Sequence, residues 1–418
     1  MSSQIKLQQP VINGSLRSTN FFNGRLVTGA DMSREQTARR EADWRTGKAN
    51  GDGIVSGLKV EEAAGSGGEP VVNVTQGLAV NRCGQTLYLA QNAAINLLQR
   101  FGTIENPSKI FADCQPIQTG TYTAGFKFYL LVLSPAETKE GSAPTGGLNN
   151  AVVTCNTDMI LETVQFRLLP VDPFLINENL PDAQLRNYIA YRCFGTARTN
   201  NFFKDPFGFS LENYGLMDEM RGKTLSDSDV PLAIINWTSA GLKFVEMWSV
   251  RRRVTRRIED KNWTQLTNDR RLSETEAMMR QFARQIEESQ PTQNKYRTVQ
   301  AIDYFRYLPP AGILPQAATQ IGNGFELENF FKNKRLNDIA MIDGAQLQPL
   351  LREALTHEPI DLHSDEKIQI YFVRENFDAV QSGQIKQFSV VFAKRTIPYH
   401  GTARFNAELS NWNLSRYV

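Results

Sequence analysis

The stretch Asn20–Val60, NFFNGRLVTGADMSREQTARREADWRTGKANGDGIVSGLKV, decides how the rest of the chain is read. It opens on an aromatic pair followed by an Asn-Gly turn (Phe21, Phe22, Asn23, Gly24), because Asn and Gly both tolerate φ > 0. Ser33 with Gln36 three residues on has the form of a capping box, which predicts a helix of about four turns from near Asp31 to Gly47. A Gly-punctuated strand, Gly53-Ile-Val-Ser-Gly-Leu-Lys-Val60, closes the segment. No nucleophile–base pair and no metal cluster lies within it. It reads as the rigid start of a multi-part structural protein.

Beyond Val60 the pattern turns to strands. Val71–Val74, Gly77–Val80 and Thr86–Ala90 are short β-rich runs separated by Gly and Asn, the mark of an antiparallel sheet or small barrel. A second β-rich stretch starts at Thr121 and resumes at Met159–Leu169. The Gly, Ser, Thr and Pro between Thr138 and Asn150 predict a surface loop there. Asp182 opens a helix toward Tyr191, and Thr199–Lys223 is an irregular passage rich in aromatics. Val230–Val254 reads as a hairpin. Ser273 with Glu276 then predicts a capped helix whose Met278, Phe282 and Ile286 share one face, stopped by Pro291. A helix over Gly344–Leu355 and strands Lys367–Val373 and Gln387–Ala393 complete the chain. The expected fold is α+β and β-rich, with several small antiparallel β domains linked by an N-terminal and a central helix. Its units are a docking segment (1–60), a small β domain (61–115), a β-rich domain with the aromatic loop (116–225), a hairpin and helix (226–295) and a C-terminal α+β domain (296–418).

Composition narrows the function. The 418 residues hold 46 basic and 44 acidic side chains, a formal net charge of +2. A nucleic-acid binder concentrates positive charge far beyond this, so no nucleic-acid partner is expected. The apolar runs fall short of the ~20 residues that span a bilayer, so no membrane insertion is expected either. Cys83, Cys114, Cys155 and Cys193 form no CxxC, and the N-terminus lacks a secretory signal, which predicts free thiols and cytoplasmic synthesis.

Candidate chemical sites are sparse. Arg251, Arg252, Arg253, Arg256 and Arg257 make a basic run, but nearby acids predict an ion-paired surface or a salt-bridged subunit contact. His357, Asp361 and His363 are metal-ligand types, yet Pro359 breaks the helix that would gather them, which leaves a turn. Asp227 and Asp229 lack the ligand count of a calcium loop. No GxSxG elbow or phosphate loop is present. No catalytic residue, cofactor or metal is expected.

The order FFxGRLxTxxDxxxEQ, a charged helix and then GxGIVxGLxV resembles a family encoded with phage-tail-like contractile injection systems. Val230-Pro-Leu-Ala-Ile-Ile with Trp248-Ser-Val-Arg-Arg-Arg253, and Phe305-Arg-Tyr-Leu-Pro-Pro-Ala-Gly-Ile-Leu-Pro315, extend the resemblance to the middle and the C-terminal third. The chain departs from that pattern at Ala49-Asn50-Gly51, where a His-Gly pair is usual. The resemblance implies a non-enzymatic structural subunit (a baseplate, cap or accessory part) whose partners are other subunits, in several copies around a symmetric particle that can leave the cell. The expected interface residues are Phe21, Phe22, Arg25 and Leu26, with Phe202, Phe203 and Phe207 of the aromatic passage, since interface cores are rich in aromatics. The alternatives are a fibre-like module binding carbohydrate or a cell surface, which needs exposed aromatics on a shallow face, and a cell-wall or polysaccharide hydrolase, which needs two carboxylates at a defined separation.

Overall fold

Six consecutive apolar residues, Phe128-Tyr-Leu-Leu-Val-Leu133, form the centre of the N-terminal half and are buried on both faces. Phe128, Leu130 and Val132 point into a core with Leu185, Ile189 and Leu216. Tyr129, Leu131 and Leu133 point the other way, onto Ile54, Val72 and Leu87. Side chains alternate along a strand, so an unbroken apolar run is the sequence of a strand covered on both sides. The computed structural model describes residues 11–12, 14–64, 70–97, 127–145, 154–172, 180–196, 215–238, 241–255, 269–288, 298–316, 324–332, 334–337, 339–354 and 357–394.

Helix α1 (Gly29–Asn50) leads into β1 (Gly53–Gly57), β2 (Val60–Ala64), β3 (Pro70–Val74), β4 (Gly77–Val80), β5 (Thr86–Leu89) and β6 (Ala93–Asn96). These make two three-stranded antiparallel sheets, ordered β1-β4-β5 and β2-β3-β6. Next come β7 (Phe128–Thr145), β8 (Thr154–Pro170), α2 (Asp182–Cys193), α3 (Leu216–Met220), β9 (Val230–Thr238) and β10 (Gly241–Glu246). The four strands form one antiparallel sheet, β10-β9-β7-β8. One of its faces carries the small sheets, and the other carries α2 and α3. Cys193 lies on the helical side, where burial pushes its thiol up to about 12 and keeps it protonated.

Helix α4 (Asp269–Glu288) begins the C-terminal half, followed by α5 (Ala301–Tyr304), β11 (Tyr307–Leu308), β12 (Ala311–Gln316), α6 (Leu327–Phe330), β13 (Arg335–Leu336) and β14 (Ala340–Ile342). Then come α7 (Gly344–Ala354), β15 (Ile360–Asp361), β16 (Lys367–Val373), α8 (Arg374–Gln381) and β17 (Phe388–Ala393). Strands β12, β17 and β16 are antiparallel, while β13 and β14 both add to β16 in parallel. Phe282, Phe305, Phe331 and Phe392 meet beneath this sheet at ring distances of 5.3–5.5 Å. Such edge-to-face and tilted pairs add to the stabilisation from area alone. The fold is α+β and β-rich.

Three expectations are corrected. Thr138–Thr145 is strand, not loop: β7 runs through it and pairs with β8 as far as Thr145 opposite Thr154. A continuous partner strand overrides the weak β preference of Gly141 and Pro144. Helix α4 already includes Asp269, four residues before Ser273, and Asp269-Arg-Arg-Leu272 holds no Gly or Pro to interrupt it. Ser273 is therefore buried within the helix, and Glu276 binds Arg280 at 2.6 Å and Arg253 at 3.5 Å. Helix α1 spans Gly29–Asn50, longer at both ends than expected, and its cap is Thr28, not Ser33.

Candidate docking surface

Residues 14–28 fold back along α1, each step tied by a specific contact. Arg45 donates to the Gly14 carbonyl at 2.6 Å, near the far end of the helix. The Thr19 N–H donates to Glu35 at 3.1 Å, and the Thr19 hydroxyl donates to the Asp31 carbonyl at 3.0 Å. The chain then reverses at Phe22-Asn23-Gly24-Arg25, where the Arg25 N–H reaches the Phe22 carbonyl at 3.1 Å and Gly24 sits at φ +88°. A positive φ of this size is readily adopted only by glycine among residues without a special excuse, which is why the turn carries one.

The helix start holds the turn in place. Thr28 and Asp31 form a reciprocal capping box: the Thr28 oxygen accepts from the Asp31 N–H, and the Asp31 carboxylate accepts from the Thr28 N–H at 3.1 Å. The same carboxylate takes the Arg25 guanidinium at 2.5 Å and Arg34 at 3.3 Å. The hydrogen bonds from the Thr28 side chain and backbone, helped by Arg25, hold the Asp31 carboxyl below the usual carboxylate range. Arg25 also donates to the Asn20 carbonyl at 2.8 Å and lies 5.9 Å from the Phe22 ring centre.

Apolar side chains face outward from this framework. Phe21 is 51% exposed, Phe22 63% and Leu26 85%, and Val27 and Met32 are also exposed. Arg25 alone of the four expected N-terminal residues is half-buried. The helix offers them no shelter, since only Asp31, Ala38 and Gly47 of its 22 residues are buried. Its foot is fixed by glycines: a Cβ on Gly47 would lie 2.1 Å from the Gly84 carbonyl oxygen, and one on Gly84 would lie 1.9 Å from that of Trp44. Midway, Arg40 reaches Glu162 at 3.0 Å and Glu137 at 3.5 Å on the β7–β8 hairpin.

Phe202, Phe203 and Phe207 lie outside the described residues. The reading of the sequence missed Val27 and Met32, which continue the exposed set, and Met159, Ile160 and Leu161 on β8, all 40% exposed or more. The signal was an apolar cluster, NFFNGRLV, beside a helix that offers no apolar stripe to receive it.

The other candidates are engaged internally. Arg251 donates to the Leu58 and Gly57 carbonyls at 2.7 and 2.5 Å, and Arg252 to the Trp248 and Ser249 carbonyls at 2.9 Å. Arg251 and Arg252 thus also clamp main chain, and Arg253 is ion-paired to Glu276 at 3.5 Å. Arg256 and Arg257 lie outside the described residues. Asp229 is buried against Arg167 at 2.9 Å and Ser134 at 2.6 Å, so its charge is already met by a guanidinium. Asp361 binds Arg306 at 3.1 Å and accepts the His363 N–H at 2.8 Å, closing a turn.

No protein-family model matches the chain, and no curated protein sequence matches it. Among the described residues, no helix is long and apolar enough to cross a membrane.

Proposed function

We propose that this chain is a non-enzymatic structural subunit of a phage-tail-like contractile injection particle, serving as a baseplate, cap or accessory part, and that residues 14–32 dock it on a neighbouring subunit. One observation carries the docking: Phe21, Phe22, Leu26, Val27 and Met32 are exposed on an arm whose backbone is tied at Gly14, Thr19, Arg25 and Thr28. A contiguous exposed apolar set on an ordered segment marks an interaction site. Holding it in shape beforehand lowers the entropy cost of binding. The assignment to an injection particle rests on the sequence resemblance. The fibre-module alternative calls for several aromatics on a shallow face, whereas Tyr88 stands as a lone strongly exposed ring on the described small sheets.

The test is the double variant Phe21→Ala/Phe22→Ala. Truncating aromatic anchors at an interface costs ~2 kcal/mol or more of binding each. The isolated protein should melt as the wild type does, since exposed substitutions change stability by about 0.5 kcal/mol or less, while incorporation into purified particles is lost. A variant that melts early and still assembles would show that the two rings serve the chain's own core.

A further inference from the structure

Strand β9 accompanies β7 only as far as Leu133 opposite Val230. Beyond that point β7 and β8 continue alone to Thr145 opposite Thr154. The outer hairpin is therefore a two-stranded ribbon, and β8 is the last strand of its sheet. Residues 137–142 and 158–163 are exposed on both faces of the ribbon. Met159, Ile160 and Leu161 are among them, at 53%, 61% and 40%. A two-stranded ribbon is marginal in water, and an open strand edge with apolar side chains invites a partner.

Charge says which partner. Residues 134–165 carry Glu137, Glu140, Asp158 and Glu162 against Lys139, a net of −3. Residues 11–50, the arm and its helix, carry seven basic and four acidic side chains, a net of +3. The two surfaces already attract each other within one chain, through Arg40 on Glu137 and Glu162. Yet the apolar residues of both remain exposed there, so neither covers the other in cis. We propose that the ribbon of one copy seats on the N-terminal arm of a second copy, burying Met159 and Leu161, which share one face of the ribbon, against Phe21, Phe22 and Leu26. This rests on the docking reading of the arm and names its occupant. The two patches differ, so the contact is head-to-tail and builds rings or open chains according to the rotation between copies.

Sedimentation velocity on the purified full chain tests this. The wild type should form concentration-dependent oligomers at low salt that dissociate at high salt, because exposed charges are screened. Met159→Asp/Leu161→Asp on the ribbon and Phe21→Ala/Phe22→Ala on the arm should each weaken association by about tenfold or more. Each variant keeps one intact patch, so a mixture of the two should form one-to-one dimers and nothing larger. Glu140→Lys/Asp158→Lys supplies a second ribbon variant that leaves the apolar residues in place, and it should weaken association chiefly at low salt. A wild type that stays monomeric at all concentrations, or a mixture without heterodimer, overturns the inference. If the arm variant is also lost from particles while the wild type stays monomeric, the arm docks a different subunit and the functional proposal stands without this one.

Discussion

At the junction of α2 and α4, polar side chains are buried; on the N-terminal arm, apolar ones are exposed. Both depart from the usual distribution, but the first is largely balanced inside the molecule. At the junction, Asn187 accepts the Arg306 and Tyr307 N–H groups at 3.0 Å each and donates to the Tyr307 carbonyl at 3.0 Å. Gln285 donates to the carbonyls of Ala183 and Tyr304 at 3.2 and 3.1 Å. Arg186 meets Glu246 at 2.6 Å and also Glu288. Burial works against its charge, but the two carboxylates raise the guanidinium above its ordinary value. Buried polar groups are costly unless satisfied; Asn187, Gln285 and Arg186 meet that condition, whereas the buried hydroxyls of Tyr191 and Ser273 do not. The exposed rings of the arm are not balanced in this way. The contrast separates residues that fasten the two halves of the chain from residues that, on the proposed reading, dock it to a partner.

The largest effect should come from breaking the junction. Asn187→Ala removes the acceptor of two main-chain N–H groups at a fully buried position. Leaving a buried donor unpaired costs ~1–3 kcal/mol, so a loss of about 3 kcal/mol is expected. Chemical denaturation would measure it. A loss below ~1 kcal/mol would mean that water replaces the amide and that the junction is less dry than its burial implies.

A smaller effect should follow at the foot of α1. Gly47→Val places its Cβ 2.1 Å from the Gly84 carbonyl oxygen. Main chain must shift on one side or the other, at ~1–3 kcal/mol. The small-sheet core does not include α1. Hydrogen exchange should therefore rise across residues 29–50 and stay unchanged in β3 and β4. Exchange rising in the sheets as well would show that the arm and its helix are part of the folding unit, which would weaken the contrast drawn above.

How much of this was legible depended on whether the deciding contact was local. Lys367–Val373 is the strand that its apolar run announced, and Met278, Phe282 and Ile286 are all buried at their four-residue spacing, Met278 against α2 and the other two in the C-terminal core. Local pattern failed where a distant partner decides. Two capping boxes compete in the N-terminal segment, and Thr28 with Asp31 is the one used, reinforced by Arg25 from the preceding turn. The ribbon beyond Ser134 is written in loop-like residues, and its pairing with β8 is visible only in three dimensions. Arg251 and Arg252 look like surface charge in the sequence, but they bind carbonyls, including two that lie over 190 residues earlier in the chain. The exposure of Phe21 and Phe22 was only weakly legible: the helix beside them offers no apolar stripe, but a ring near a terminus packs inward nearly as often as it turns out.

The subtlest prediction concerns the lock that keeps the arm in shape. Thr28 and Arg25 hold the Asp31 carboxyl below its ordinary value. A depressed carboxylate contributes order that is present above its unfolded value and is lost as the pH falls through the lower, folded value. Acidification below about pH 4 should therefore loosen residues 19–31 before the body unfolds. The readout is amide exchange at Arg25, Thr28 and Asp31, whose N–H groups are bonded within the turn and the cap. Asp31→Asn removes the charge at every pH, so the three amides should exchange fast at neutral pH and show no further acid step. The global melting midpoint should stay put, because the arm shares no core with the sheets. If the variant keeps its protection, the Thr19 and Arg45 contacts hold the arm unaided, and its exposed rings are presented by the backbone rather than by this one carboxylate.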